Sequence, residues 1–108
     1  MARISTHVLD IAKGAPAGGV AIELRFDGAV VASATTNADG RTDMPLLVGE
    51  EIPLGTYELV FHAGEYFQGP GIQFLDEIVI RFGVSDARGH YHVPLLMAPH
   101  GYSTYRGS

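Results

Sequence analysis

The sequence has 108 residues, a formal net charge of −5 and no cysteine, and its length fits one domain, 1–108, with a single modest core. The charge disfavours non-specific nucleic-acid binding, and the lack of cysteine excludes disulfides, thiolate nucleophiles and cysteine-ligated zinc. No apolar run approaches transmembrane length and the N-terminus lacks the apolar core of a secretory signal, so we expect a cytoplasmic protein with no membrane partner.

Alternating apolar and polar side chains, the period of a half-buried β-strand, dominate the chain. We expect strands at residues 4–11, 19–26, 30–36, 55–62, 76–84 and 91–97. Asp27-Gly28 has the composition of a tight hairpin turn, and a short helix is expected near residues 64–68. Closely spaced strands separated by Gly- and Pro-containing loops predict an all-β protein, either a sandwich or a barrel.

Two of the predicted strands carry apolar side chains on both faces. In residues 4–11 the face with His7 is also apolar, and so is the face with His92 in residues 91–97. A sandwich covers only the inner face of each sheet, so the outer face needs another subunit or a ligand as cover. We therefore infer a homo-oligomer whose interface carries both histidines. Pro94 would suit an edge or a bulged position of its strand better than a central one.

His7 and His92 are candidates for proton transfer. Either one alone would more often be a strand histidine with a satisfied hydrogen bond, but two of them on the two anomalous faces are more suggestive. Histidine has an ordinary pKa of about 6.5 and shuttles protons near neutral pH. Burial beside a cation would lower that pKa and keep the imidazole neutral, which suits a general base.

A metal site is a minor alternative for these histidines. We expect His90 and His92, two residues apart, to point to opposite faces and not to bind one ion. His7, His92 and a third ligand from another subunit could instead bind one ion together. No P-loop, GxGxxG motif or Ser-His-Asp order is present, so nucleotide and triad chemistry have no support.

Arg41 and the C-terminal tail offer further polar groups. Arg41 follows Asp39-Gly40 and is either a solvated loop residue or a planar group that pairs with a carbonyl or anion on a flat ligand. Arg106 alone would ordinarily be a solubilising tail residue. If residues 102–105 form a strand beside 91–97, Tyr105 would join His92 on the outer face; the alternative is a frayed terminus.

Four segments, STHVLD (5–10), GAPAGGV (14–20), DGR (39–41) and HYHVPLLMAPHGYSTYRGS (90–108), resemble the 5-hydroxyisourate hydrolases, the transthyretin-related enzymes of urate breakdown. The resemblance covers essentially the whole chain. The terminal YRGS is its specific element, because the hormone-carrying transthyretins share the fold but lack that ending. Ile11 departs from the family, which often has threonine there, and we expect no effect of this difference on the chemistry.

The resemblance implies a transthyretin-like sandwich of two four-stranded sheets, about eight strands in all, with one short helix. It implies a homotetramer, a dimer of dimers, with active sites in the channel between dimers. The implied reaction is hydrolysis of a ring C–N bond of the small-molecule substrate 5-hydroxyisourate, with no metal or organic cofactor because water is the only co-substrate. The implied catalytic residues are His7, Arg41, His92 and Ser108, and the implied substrate-binding residues are His7, Arg41, Tyr105 and Arg106.

In the mechanism that we expect, His92 or His7 takes a proton from the attacking water, and Arg41 stabilises the developing oxyanion. Two other functions stay open from the sequence. One is a transthyretin-type small-molecule carrier without catalysis, and the other is a β-sandwich that only oligomerises. A carrier for apolar aromatic molecules would not need two histidines, an arginine and a polar tail at its channel. A purely structural domain would tolerate the loss of those residues.

Overall fold

Two β-sheets pack against each other in the computed structural model, which describes residues 1–108. Nine strands and one helix follow each other along the chain, and two of the strands, β2 and β5, have only two and three residues. The elements are β1 (Ala2–Asp10), β2 (Ala15–Pro16), β3 (Ala21–Phe26), β4 (Ala29–Thr35), β5 (Leu47–Gly49), β6 (Gly55–His62), α1 (Ala63–Phe67), β7 (Glu77–Val84), β8 (His90–Ala98) and β9 (Gly101–Thr104).

The first sheet has the order β2-β1-β8-β9, with β5 also paired to β1, and the second has the order β4-β3-β6-β7. Strands β1 and β8 run parallel in the middle of the first sheet, and their register sets Ser5 opposite His92 and His7 opposite Pro94. The predicted all-β sandwich of two sheets with one short helix is confirmed. The second sheet has the expected four strands, and the first has five because the short β5 also pairs with β1. No helix of the structure is long and apolar enough to cross a membrane.

Most predicted element bounds agree with the structure to within two residues. Strand β6 covers the predicted range 55–62, and the helix begins one residue earlier than expected, at Ala63. Asp27 and Gly28 have φ values of 56° and 81°. Both values are positive, as the tight hairpin turn between β3 and β4 requires, so the predicted turn is confirmed.

The core lies between the two sheets and consists of the inward faces of their strands. Leu24, Leu59 and Leu95 are fully buried there, in a cluster of twenty apolar side chains. Burial of one such side chain contributes about 1.5–3 kcal/mol to folding. Tyr57 is also buried, and its hydroxyl donates to the carbonyl of Pro53 at 2.7 Å. The sandwich therefore provides a rigid support whose outward faces are free for other roles.

The expectation that His90 and His92 point to opposite faces is wrong. Residues two apart on a strand share a face, and both histidines lie on the face of β8 that points away from the core, which we call the outer face. Pro94 lies in a central strand, as the sheet order shows. The pairing of β8 with β9 stops at Leu95 and resumes in the same register where Gly107 bridges His92. Pro94, which has no N–H, lies in this interruption of a central strand and not at the expected edge.

Candidate active site

A cleft of about 380 Å³ lies on the outer face of the first sheet. Strands β1 and β8, the loop 36–46 and the last residue of the chain meet around it. Its nine lining residues are all polar or charged except one proline: Arg3, Ser5, Thr6, Arg41, Thr42, Pro45, His90, His92 and Ser108. Such a lining suits a small polar ligand that is held by hydrogen bonds and positive charge.

His92 is the half-buried histidine of this cleft. Its Nδ1 lies 2.9 Å from the hydroxyl oxygen of Ser5, and Nε2 has no hydrogen-bond partner in the chain. Burial lowers the pKa of His92 below its usual 6.5, and the positive charges of Arg41, His7 and Arg3 lower it further. The imidazole is therefore neutral at neutral pH, as expected from the sequence for a histidine beside a cation, and a neutral imidazole can accept a proton.

The C-terminal tail is ordered against His92 and does not fray. The N–H of Gly107 donates to the carbonyl of His92 at 2.7 Å, and the hydroxyl of Thr104 donates to the carbonyl of Pro94 at 2.6 Å. These two contacts extend the pairing of β9 past its last residue. The tail thereby brings Ser108 to the cleft, next to His92.

Arg41 owes its place to a tight turn that Asn37 organises. The side-chain oxygen of Asn37 accepts the N–H groups of Asp39 and Arg41 at 2.9 and 3.2 Å. Gly40 is buried with a φ of 74°, and a Cβ on it would collide with the carbonyl oxygen of Val8. Only glycine fits this close approach, which sets the backbone of Arg41 beside β1.

His7 lies next to the cleft, on the same face of β1 as Ser5. Its Nε2 is 2.9 Å from the carbonyl oxygen of Asp39. A carbonyl only accepts hydrogen bonds, so Nε2 of His7 carries the hydrogen, and Nδ1 holds the lone pair whenever the ring is neutral. His7 thus supports the turn that presents Arg41 and still has one nitrogen for proton exchange.

Tyr105 and Arg106 lie away from the cleft within one chain. They line a second recess of about 260 Å³ between β7 and β8. The guanidinium of Arg106 lies 4.3 Å from the ring centre of Tyr91 and donates to the carbonyl of His90 at 3.1 Å. The structure thus gathers His92, Arg41 and Ser108 around one cleft with His7 beside them, and it sets the other two predicted residues apart. The substrate-binding roles of those two residues stay predictions.

Three residues of the site were not predicted from the sequence to act there. Ser5 and Arg3 share the outer face of β1 with His7, and the strand alternation already contained that signal. Asn37 begins the Asn-Ala-Asp-Gly turn, and this turn composition was a usable signal as well.

His90 and His92 share the cleft, and no three potential metal-ligating side chains cluster in the chain. A metal completed by another subunit stays the minor alternative to the expected absence of a metal.

Comparison with known proteins gives matches over the whole length of the chain. A model described as the HIUase/Transthyretin family matches residues 4–107. A 5-hydroxyisourate hydrolase of Pseudomonas aeruginosa is 51% identical, and the alignment covers 100% of this chain and 93% of that protein.

Two solved structures extend the comparison. The 5-hydroxyisourate hydrolase of Klebsiella pneumoniae is 38% identical with a TM-score of 0.86, and the alignment covers 98% of this chain and 99% of that one. A crystal structure of (S)-allantoin synthase is 42% identical with a TM-score of 0.91; the alignment covers 99% of this chain and 44% of that longer one. The resemblance found in the sequence is confirmed, and the chain belongs to the HIUase/Transthyretin family.

Proposed function

We propose that this chain hydrolyses 5-hydroxyisourate to 5-hydroxy-2-oxo-4-ureido-2,5-dihydro-1H-imidazole-5-carboxylate, a step of urate degradation. The relative from P. aeruginosa carries the name of this activity at 51% identity over the full chain. The observation that carries the proposal in this molecule is the polar cleft in which a half-buried His92 with a lowered pKa has a free Nε2.

His92 is the general base in the proposed mechanism. Its Nε2 takes a proton from water as the water oxygen bonds to a ring carbonyl carbon of the substrate. The lowered pKa keeps the ring neutral before the step. The ring C–N bond then breaks, and the departing nitrogen receives the proton from the imidazolium, so that His92 returns to its starting state. A positioned base of this kind typically gives about 10²–10⁴-fold acceleration.

Arg41 stabilises the oxyanion that forms on the attacked carbonyl. Its backbone is fixed by the Asn37 turn and its side chain lines the cleft that contains His92. A charge that is already in place needs no reorganisation as the negative charge develops, and this is often the largest contribution to catalysis. Arg3 adds a second positive charge to the same cleft.

His7 and Ser108 complete the proposed machinery. The lone pair on Nδ1 of His7, opposite the bond to Asp39, allows His7 to exchange a proton with substrate or water. The hydroxyl of Ser108, brought to the cleft by the tail, orients the substrate or the water by hydrogen bonding. Tyr105 and Arg106 are proposed to bind substrate across the subunit interface, since within one chain they face a different recess.

A homotetramer, built as a dimer of dimers, is the proposed assembly. The outer face that carries the cleft also carries the apolar, only half-buried Leu9 and Leu96, and Ile11 at the end of β1 is 52% exposed. A sister chain on this face would cover these side chains and narrow the cleft into a channel. Sedimentation should give four times the mass of the chain, and a stable monomer would refute the proposed assembly.

A cytoplasmic location and the reading of 1–108 as one domain stay predictions from the sequence. Cell fractionation tests the first, and a single cooperative unfolding transition tests the second. The alternative of an apolar carrier is disfavoured by the lining of the cleft, whose residues are all polar or charged apart from Pro45.

The test of the proposed function is the decay of freshly generated 5-hydroxyisourate, followed by ultraviolet absorbance. Catalytic amounts of the protein should accelerate the decay far beyond the rate in buffer, and mass spectrometry should find the ring-opened carboxylate, heavier than the substrate by one water. Decay at the buffer rate would refute the proposed function.

A further inference from the structure

Ser5 makes the one hydrogen bond that the side chain of His92 forms within the chain. The two residues are 87 positions apart and meet because β1 and β8 run parallel with Ser5 and His92 as direct partners. Both are half-buried on the outer face, and both line the cleft. The distance from the Ser5 hydroxyl oxygen to Nδ1 is 2.9 Å, a good hydrogen-bond length.

We propose that Ser5 is a positioning residue: its hydroxyl accepts a hydrogen bond from Nδ1–H of His92 and so keeps the lone pair of the neutral ring on Nε2. A neutral imidazole carries its hydrogen on either nitrogen, and a ring with hydrogen on Nε2 cannot take a proton there. The role of Ser5 in hydrolysis rests on the proposed function, whereas the hydrogen bond and the tautomer can be measured without substrate.

The same hydrogen bond serves both protonation states of the ring. When Nε2 takes up a proton, Nδ1–H stays in place and continues to donate to Ser5. The hydroxyl therefore does not have to rotate during the reaction, and His92 can return its proton from an unchanged orientation. A group that is held in this way is preorganised for proton transfer.

A hydroxyl also differs from a carboxylate at this position. A carboxylate bonded to Nδ1 would favour the imidazolium and raise the pKa of His92, whereas a hydroxyl carries no charge. Ser108, which also lines the cleft, carries the carboxylate that ends the chain, the one negative group among the lining residues. The other charged or titratable groups of the surroundings are Arg3, His7, Arg41 and His90, which are positive when protonated and so disfavour protonation of His92. Ser5 orients the base without opposing their effect.

Other contacts of His92 fix its place but leave the tautomer open. Gly107 lies against the Cδ2 edge of the ring, where a Cβ would come within 2.5 Å, and its N–H bonds the His92 backbone carbonyl. Neither contact distinguishes Nδ1 from Nε2. The loss of the Ser5 hydroxyl should therefore leave the ring near its place and change which nitrogen carries the hydrogen.

The direct test is nitrogen NMR of the intact protein labelled with ¹⁵N-histidine, at a pH where His92 is neutral. The chain has five histidines, and His92→Asn identifies the signals of His92. We expect the Nδ1–H form in the wild type and in Ser5→Thr, and a mixture of both forms in Ser5→Ala. Ser33→Ala, an exposed serine of β4 on the other sheet, is the control and should match the wild type.

The kinetic test uses the same variants with 5-hydroxyisourate. Ser5→Ala should lower kcat about tenfold with little change in KM, Ser5→Thr should restore the rate, and Ser5→Asp should move the acid limb of the pH profile to higher pH. A wild-type ring with hydrogen on Nε2, or a tautomer and kcat that are unchanged in folded Ser5→Ala, would overturn the inference. If the wild type shows no hydrolysis, the proposed function fails. The NMR result still shows whether Nδ1 of His92 carries the hydrogen and donates to Ser5.

Discussion

Gly107 lies directly against the imidazole of His92. A Cβ built on Gly107 would stand 2.5 Å from Cδ2 of that ring and 3.3 Å from Cγ of Pro94. The same glycine donates its N–H to the His92 carbonyl at 2.7 Å. The glycine in the YRGS ending thus has a physical reason, since any side chain would push the tail or the ring away. The tail and the histidine form one structural unit.

Gly107→Ala should lower kcat by about 10–100-fold, because the added methyl group displaces either the imidazole or Ser108 by a fraction of an ångström to an ångström. The fold should survive, since the tail lies outside the core. Gly101→Ala is the matched control: it lies at the start of β9 and its Cβ meets nothing within 4 Å. Steady-state kinetics and a thermal melt of both variants check this, and equal rates in the two would contradict it.

The pH profile should report the pKa of His92. The base must be neutral, so kcat/KM should fall as the pH drops through the pKa of His92, which burial and the nearby cations hold below 6.5. The rate should therefore persist to lower pH than an ordinary histidine allows. Arg3→Gln removes one of the positive charges that lower this pKa, so the acid limb should move to higher pH. A limb that stays in place would contradict the assignment of His92 as the base.

Asn37 should matter for activity although it does not line the cleft. Its side-chain oxygen accepts two N–H groups of the turn, and its amide donates to Asp43 at 3.0 Å. Asn37→Ala removes these bonds and frees the backbone of Arg41, so we expect a several-fold fall in kcat/KM and a loss of stability of about 1–2 kcal/mol.

Asn37→Asp separates the role of the side-chain oxygen, which accepts from the turn, from the role of the amide group, which donates to Asp43. The acceptor for the turn stays, while the amide bond to Asp43 becomes a repulsion between two carboxylates. We therefore expect kcat/KM nearer to the wild type than in Asn37→Ala. The midpoint of urea denaturation measures the stability of both variants. A wild-type kcat/KM in Asn37→Ala would refute the role of this turn.

His7→Gln tests whether His7 exchanges protons or only supports the loop. The amide nitrogen of glutamine reaches about as far as Nε2 of histidine and can donate to the Asp39 carbonyl, but it cannot titrate. We expect kcat to fall about 10²-fold in both His7→Gln and His7→Asn. If His7→Gln keeps the wild-type rate, His7 acts only through its hydrogen bond to Asp39.

Local patterns predicted the strands, because alternation of side chains is a property of each strand by itself. Strand β6 and the Asp27-Gly28 turn are the clearest cases: their sequences contain both the period and the positive-φ residues that the structure uses. The two-sided character of β1 and β8 also indicated which sheet face carries the cleft.

The sequence alone did not predict which residues of strands distant in the chain pair with each other. The Ser5–His92 contact depends on the parallel pairing of two strands almost a chain length apart, and a shift by one residue would abolish it. The separation of Tyr105 from the cleft was missed for a related reason. The tail keeps the register of β9 as far as Gly107, yet Tyr105 borders the recess between β7 and β8, a position that depends on how the two sheets pack.

The most direct measurement is the rate of 5-hydroxyisourate decay with wild type and His92→Asn at equal concentration and neutral pH. Asparagine keeps a polar group on β8 but cannot take a proton from water. We predict that kcat falls about 10²–10⁴-fold while the melting temperature and the oligomeric state stay unchanged. A His92→Asn protein that hydrolyses the substrate at the wild-type rate would contradict the account.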